Sequence, residues 1–484
     1  MGAGNWHGDC NSSSKTAAGR RVSEIEELGV PTTKIIVPSG HMGTMPFSVE
    51  SFRAGVAERP DFIICDSGSC DIGPYPLGAD IPPSAEAFQK HDLEHMLLAA
   101  RELGVPMIVG SASDTGTDRG VDQYVRLIRE IAKAHNLKPF KLAAIHTEMP
   151  VAALRERMNS GEIISGLNGR PDLDKDTLER TDRVVAVVGV EPIIAALKDG
   201  ADVIICGRTC DVSIFAAPLI LRGHSKADAY FAGKALECAS FCAEPYRSKE
   251  TVLGRIADDG VYLTAMSPLQ RCTPVSVAAH AMYERANPFR EHVPGGYLDM
   301  TNCRYEAVDE KTTRVTGQTF VEDDAIRVKI EGSGKIAERR IFIAGLRDPH
   351  TIENLDEVLR LARERVAAIF GPPEGKYSLH YHRYGRDGVM GELEPNPVMN
   401  PQEMCIIADV TANDPDTAEQ VCHIAGKAIL QARLPGVKGT AGIAGIFSDE
   451  VMHIQPAYEW TMNHLVKVDR ADELSRLSFQ TISA

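Results

Sequence analysis

The sequence lacks an apolar run long enough to span a membrane. Its most apolar stretch, residues 184–206, is broken by Glu191, Lys198, Asp199 and Asp202, whereas a spanning helix needs about 20 successive apolar residues. Basic charge is also scarce: 52 Lys and Arg stand against 67 Asp and Glu, giving a net charge of -15. That balance argues against nucleic acid, because phosphate binding needs a concentrated basic face. Any anionic ligand would have to be met by a local cluster of Arg, Lys or backbone N–H groups. The Cys206/Cys210 and Cys238/Cys242 pairs lack the CxxC spacing of a zinc site. Eleven cysteines is an odd count, and Cys65, Cys206 and Cys405 fall in apolar runs, where a thiol behaves as a small hydrophobe. The expectations are no structural disulfide and a reducing, cytoplasmic compartment. Residues 1–30 have no signal-peptide core and read as a flexible tail.

What is present is an ordinary globular balance of 43% hydrophobic and 25% charged residues in a chain of 484, long enough for two or three cores. Between residues 34 and 211 a short Ile/Val-rich run is repeatedly followed by a polar loop and a stretch of helical periodicity. The runs are 34–41, 61–69, 106–114, 141–148, 183–191 and 201–211. Residues 87–105 and 122–137, between two of these pairs, have apolar positions three and four apart. This alternation predicts an α/β fold, a parallel sheet with helices on both faces, over residues 31–270. Residues 271–371 predict an α+β unit containing an antiparallel β unit, since 296–345 alternates apolar and polar residues between turns. Residues 372–484, with strand-like runs at 377–385 and 403–412 and a helix at 416–434, predict a smaller C-terminal α/β unit.

Ligands of open parallel sheets bind beyond the carboxyl ends of the strands, where loops converge and helix N-termini present N–H groups. The loops after the six runs therefore form one candidate site. Its proton-moving candidates are His41, Asp66, Asp114, His146 and Glu148; its binding candidates are Ser39, Ser67, Ser113, Thr147, Arg208 and Asp211. Ser, Asp and Thr are also favoured at strand-to-helix junctions simply as N-caps, so the set carries more than its members. His146 and Glu148 are two apart at a strand end, which puts them on one face as an acid/base pair or as hard metal ligands; a hydrogen-bonded histidine with a capping carboxylate is the alternative. In GRTCD (207–211) Arg208 offers a two-pronged clamp for carboxylate or phosphate, or else a loop salt bridge to Asp211. The loops SGHMG (39–43) and GSASDTG (110–116) match neither GxGxxG nor the Walker pattern, so a nucleotide cofactor is not indicated. His91 with His95 and His380 with His382 are spaced to share an ion, but the first pair lies on a charged helix face and the second lacks a third ligand in sequence.

The segments 191–211, 328–345 and 431–451, together with the helix around LRLARERV, resemble the acyclic terpene utilisation AtuA-like proteins across most of residues 34–451. The loops SGHMG and GSASDTG depart from the family pattern. The resemblance implies a role in catabolism of branched terpenoid acids or their acyl-CoA esters. The reading that follows is a lyase or hydro-lyase acting on a small carboxylate or acyl-CoA, with Arg208 holding the anion and no cofactor predicted. A metal-assisted isomerase or hydrolase using a divalent ion, and a noncatalytic ligand-binding subunit, are the alternatives. The expected assembly is a homo-oligomer with no membrane or nucleic-acid partner.

Overall fold

The computed structural model describes residues 32–436, 443–446 and 451–483. The tail expected over 1–30, and parts of the segment 431–451, lie outside the described residues. Four apolar runs become β1 (Thr33–Val37), β2 (Phe62–Asp66), β3 (Met107–Gly110) and β4 (Phe140–His146). With the strand Val203–Cys206 they form a parallel block in the order β1, β2, β3, Val203–Cys206, β4. Antiparallel strands extend it on both sides to a ten-stranded sheet. Val252–Ala257, Gly260–Ala265, Thr312–Thr316 and Arg304–Ala307 continue beyond β1, and Arg476–Ile482 closes the edge beside β4.

Side chains along these strands alternate between two apolar cores. Ile35, Val37, Ile64, Ile108, Ile145 and Ile204 pack towards the helices Asp211–Leu221 and Lys226–Leu236. Ile36, Ile63, Met107, Val109 and Ile205 pack towards Glu86–Leu103 and Asp118–Ala134. Helices thus cover both faces, and each fully buried Ile or Val contributes roughly 1.5–3 kcal/mol.

One expected member of the parallel sheet is elsewhere. The run at 183–191 yields the strand Arg183–Val187, which pairs antiparallel with the 20-residue strand Arg327–Leu346 and with Glu148–Met149. The outer edge of β4 is taken by Arg476–Ile482, whereas the long strand leaves room for Val184 and Ala186 against Ile330, Met462 and Val466. The predicted β unit is antiparallel, but its strands divide between sheets. Gly296–Asp299 sits in a separate three-stranded sheet, Thr312–Thr316 joins the large one, and Arg327–Leu346 is the spine of the third. The C-terminal layer packs Leu355–Phe370 and Pro415–Gln431 over the strands Tyr377–Tyr384 and Met404–Ala412. The sheets therefore cross the expected boundaries at 270/271 and 371/372, since Arg304–Thr316 and Arg476–Ile482 both complete the first sheet. All ten described cysteines are free. Among the described residues no helix is long and apolar enough to cross a membrane.

Candidate functional site

The carboxyl ends of β1, β2, β3 and Val203–Cys206 converge through a lattice of loop bonds. Ser67 N–H donates to the Gly110 carbonyl at 3.0 Å, Ser111 N–H to Gly207 at 3.1 Å, Asp114 N–H to Ser67 at 2.9 Å and Arg208 N–H to Gly116 at 2.9 Å. The loop after β3 is twisted to fit this lattice. Ser111, Ser113 and Asp114 all have positive φ, at 46°, 62° and 62°, a conformation that costs a non-glycine residue on the order of 1–3 kcal/mol and tends to concentrate at functional sites. Gly110 and Gly116 permit the approach. A Cβ on Gly110 would lie 2.6 Å from Asp66 Oδ1, and one on Gly116, itself at φ 65°, 2.8 Å from the Arg208 backbone.

At the centre, Asp66 is buried; Oδ2 accepts from Gly68 N–H at 3.2 Å, while Oδ1 has no hydrogen-bond partner. Burial, and then the charge of Asp211, push its carboxyl up to about 6, with His41 and Arg208 acting the other way. A buried carboxyl oxygen without a donor is costly unless the group holds a proton or meets a ligand. His41 Nε2 lies 2.7 Å from Asp114 Oδ1, and Gln89 donates to the other Asp114 oxygen at 3.5 Å. Assigning the Nε2 proton to that bond orients the imidazole and makes Nδ1 the nitrogen that takes a proton. Lys249 Nζ donates to the His41 carbonyl and, at 2.6 Å, to Thr44 Oγ1, and burial pushes its ammonium below the usual range.

Arg208 is held by the protein itself. Its Nε donates to Glu331 Oε2 at 2.9 Å, and its Nη1 to the Gly68 carbonyl at 3.1 Å and Ser111 Oγ at 3.3 Å. The partner of Arg208 is thus Glu331 on the long strand, 123 residues away in sequence, and not Asp211. Burial opposes the charge on both; Arg208, with Lys329 at 2.7 Å, nonetheless holds Glu331 down to about 2, and Glu331 in turn keeps Arg208 charged. A crevice of about 10 Å³, roughly one water in size, lies between Cys70, Asp114, Arg208, Glu331 and Trp460.

The remaining candidates divide. Ser67 Oγ lies 2.5 Å from Tyr124 OH, Ser39 donates to the His41 carbonyl at 2.9 Å, Ser113 to Gln123 at 3.0 Å and Thr147 to the Gly116 carbonyl at 3.5 Å. These hydroxyls brace the loops. Asp211, first residue of its helix, is exposed. His146 and Glu148 share a face with buried Thr147 between them, but that face meets the helix Asp118–Ala134. His146 Nε2 lies 3.2 Å from exposed Asp122, and Glu148 accepts from Asp118 N–H at 3.1 Å and pairs with Arg183. Sequence reading missed Glu331, Tyr124, Gln89 and Lys249. A carboxylate between Ile330 and Gly332 in an apolar strand was the available signal for the first.

The histidine pairs are side by side, with ring centroids 4.7 Å apart for His91 and His95 and 4.5 Å for His380 and His382. Among the described residues, however, no group of three or more His, Cys, Asp or Glu is arranged to hold a metal ion. A roomier cavity of about 380 Å³ lies between Pro192, Ala195 and the segment Arg470–Leu477. It contains none of the candidate residues, and its cation Arg470 is paired with Asp472 at 2.8 Å.

Residues 39–466 match the model of a protein family described as acyclic terpene utilisation family protein AtuA. No curated protein and no solved structure matches the chain.

Proposed function

Because the chain belongs to the acyclic terpene utilisation family AtuA, we propose that it serves that catabolism as an acid–base enzyme, a lyase or hydro-lyase acting on a branched carboxylate or its acyl-CoA ester, with Asp66 moving the proton. The observation that carries this reading is the buried, unpartnered Oδ1 of Asp66 at the meeting point of three loops. A carboxyl brought near the working pH, with an oxygen that nothing in the protein occupies, is suited to take a proton from carbon next to a carbonyl. The strain in residues 111–114 is consistent with a loop selected for position. Arg208, fixed by Glu331, supports the reading as a permanent positive charge beside Asp66, able to favour negative charge developing on substrate. His41, oriented by Asp114, lies on the same floor and favours the ionised form of Asp66.

The test is Asp66→Asn in the full chain, assayed against a panel of branched acyl-CoA esters and free acids. Turnover should fall by roughly 10²–10⁴-fold, the usual contribution of a positioned acid or base, with the fold retained. Unchanged turnover would sink the reading. Wild-type protein that binds a panel member and converts none would instead indicate a ligand-binding subunit.

A further inference from the structure

A second group of ionisable side chains lies at the same end of the sheet. The helix Lys226–Leu236 ends at Glu237, which is only 6% exposed and accepts from Lys234 Nζ at 2.6 Å. Lys234 is also 3.7 Å from Glu291, which pairs with Arg285. Asp211 acts electrostatically on both Glu237 and Glu291. Buried His280 adds no charge, since burial first and Lys234 second lower it to about 3. Its ring nitrogens lack a hydrogen bond of good geometry, although the Lys234 main chain is close. Burial also keeps the Cys238 thiol and the Tyr283 phenol neutral. Three carboxylates, exposed Asp211 among them, thus face two cations, and buried Glu237 holds its proton more readily for that imbalance. Burial, then Asp211, push Glu237 up to about 7.

Glycine contacts fix where this group sits. Gly233 lies against the Val212 main chain, where a Cβ would come 2.3 Å from the carbonyl oxygen. Glu237 is four residues later, on the same helix face, beside the start of the helix that carries Asp211. Gly40 presses on Cys238, where a Cβ would lie 2.6 Å from its Cα. Glu237 and Cys238 are therefore lodged between the loop bearing His41 and the residue Asp211, whose charge also reaches Asp66.

We propose that Glu237 is the second proton-moving residue of this site, and that the substrate is a β-hydroxyacyl thioester or acid with its α-carbon towards Asp66 and its hydroxyl towards Glu237. This rests on the reading of Asp66 as the base. In the step, the Asp66 carboxylate takes the α-proton and the C–H electron pair becomes the new C=C π bond. The C–O bond breaks with its pair on oxygen, and the proton of Glu237 converts the departing hydroxide to water. The reverse step is hydration, and no oxidant or reductant is needed. Two carboxyl groups in unequal environments, one a base and one an acid, are a recurrent solution to such chemistry.

The experiment uses the full chain in D2O with 3-hydroxy-3-methylbutyryl-CoA, following deuterium entry at the α-carbon by mass spectrometry and alkene formation by absorbance. Exchange needs only the base, whereas elimination needs both groups. Glu237→Gln, which keeps an acceptor for Lys234, should retain exchange and lose elimination by roughly 10²-fold or more; Asp66→Asn should lose both. If Glu237→Gln eliminates like wild type, or loses exchange as well, the assignment of Glu237 is overturned while Asp66 stands. If Asp66→Asn exchanges like wild type, or wild type does not exchange, the base reading itself fails. A ligand-free check uses carboxyl-labelled Glu and NMR, with Glu237→Gln identifying the resonance. Glu237 should titrate near 7, and Asp211→Asn should move it down; a Glu237 ionised throughout pH 5–9 overturns the proposal.

Discussion

Replacing Asp66 by Asn should make the protein more pH-tolerant while removing its activity. The fold binds the proton of Asp66 more tightly than the unfolded chain does, its carboxyl moving from 3.8 to about 6. Such a group contributes its full stability below 3.8 and loses it as pH rises through about 6. At 1.36 kcal/mol per pH unit, the loss above pH 7 is about 3 kcal/mol, large against a total stability of about 5–15 kcal/mol. Asn keeps an acceptor for Gly68 N–H and has no charge to desolvate, so the variant is spared this loss. Chemical denaturation of both proteins at several pH values from 4 to 8 gives the difference curve, in which other titrating groups largely cancel. The stability of Asp66→Asn relative to wild type should rise by about 2.4 kcal/mol between pH 4 and pH 8, since at pH 4 about 0.5 kcal/mol of the loss has already occurred. A difference that is flat with pH, or that falls, would show that the carboxylate is not desolvated and that Asp66 is not a tuned base.

Other substitutions separate bracing from chemistry. Glu331→Ala strands Arg208 as a buried, unpaired charge and should cost about 3–5 kcal/mol in denaturation; a loss under about 1 kcal/mol, the scale of an exposed pair, would contradict the geometry. Arg208→Lys cannot reproduce the three contacts of the guanidinium and should lower the melting temperature even without ligand. Gly110→Ala places a methyl group 2.6 Å from Asp66 Oδ1 and should reduce turnover more than stability, measured on one preparation. Glu148→Ala removes a cap and an ion pair, costs about 1–2 kcal/mol, and should leave turnover unchanged, since its contacts are Asp118, Arg183 and Arg476.

Much of the first sheet was legible because Ile/Val runs alternating with amphipathic stretches leave few other arrangements. Five strands, the flanking helices and the convergence of His41, Asp66, Asp114 and Arg208 follow from that pattern. Periodicity says that RVVAV is a strand but not which edge is vacant, and the vacancy is decided by Arg476–Ile482, far along the chain. The same limit applies to His146 and Glu148: period two makes them share a face, while whether that face looks into the site depends on the helix packed against it. Glu331 was hidden because its meaning comes from Arg208, contributed by another segment. Glu237 reads in sequence as a polar position in a small-residue helix, and its burial arises only where that helix meets Val212 and the loop bearing Gly40.

The pairing of Arg476–Ile482 with β4 also sets a timetable. Arg476 reaches back to Glu148 across 328 residues, which at roughly 5–20 residues per second of synthesis is a delay on the order of half a minute. During that interval the nascent chain carries β4 with an open hydrogen-bonding edge next to Ala143, Ala144 and Ile145, and carries Arg208 before Glu331 exists to receive it. A ribosome-bound chain halted near residue 300 should therefore be a strong client for chaperones that recognise exposed strand edges, and its release should coincide with the emergence of residues 476–482.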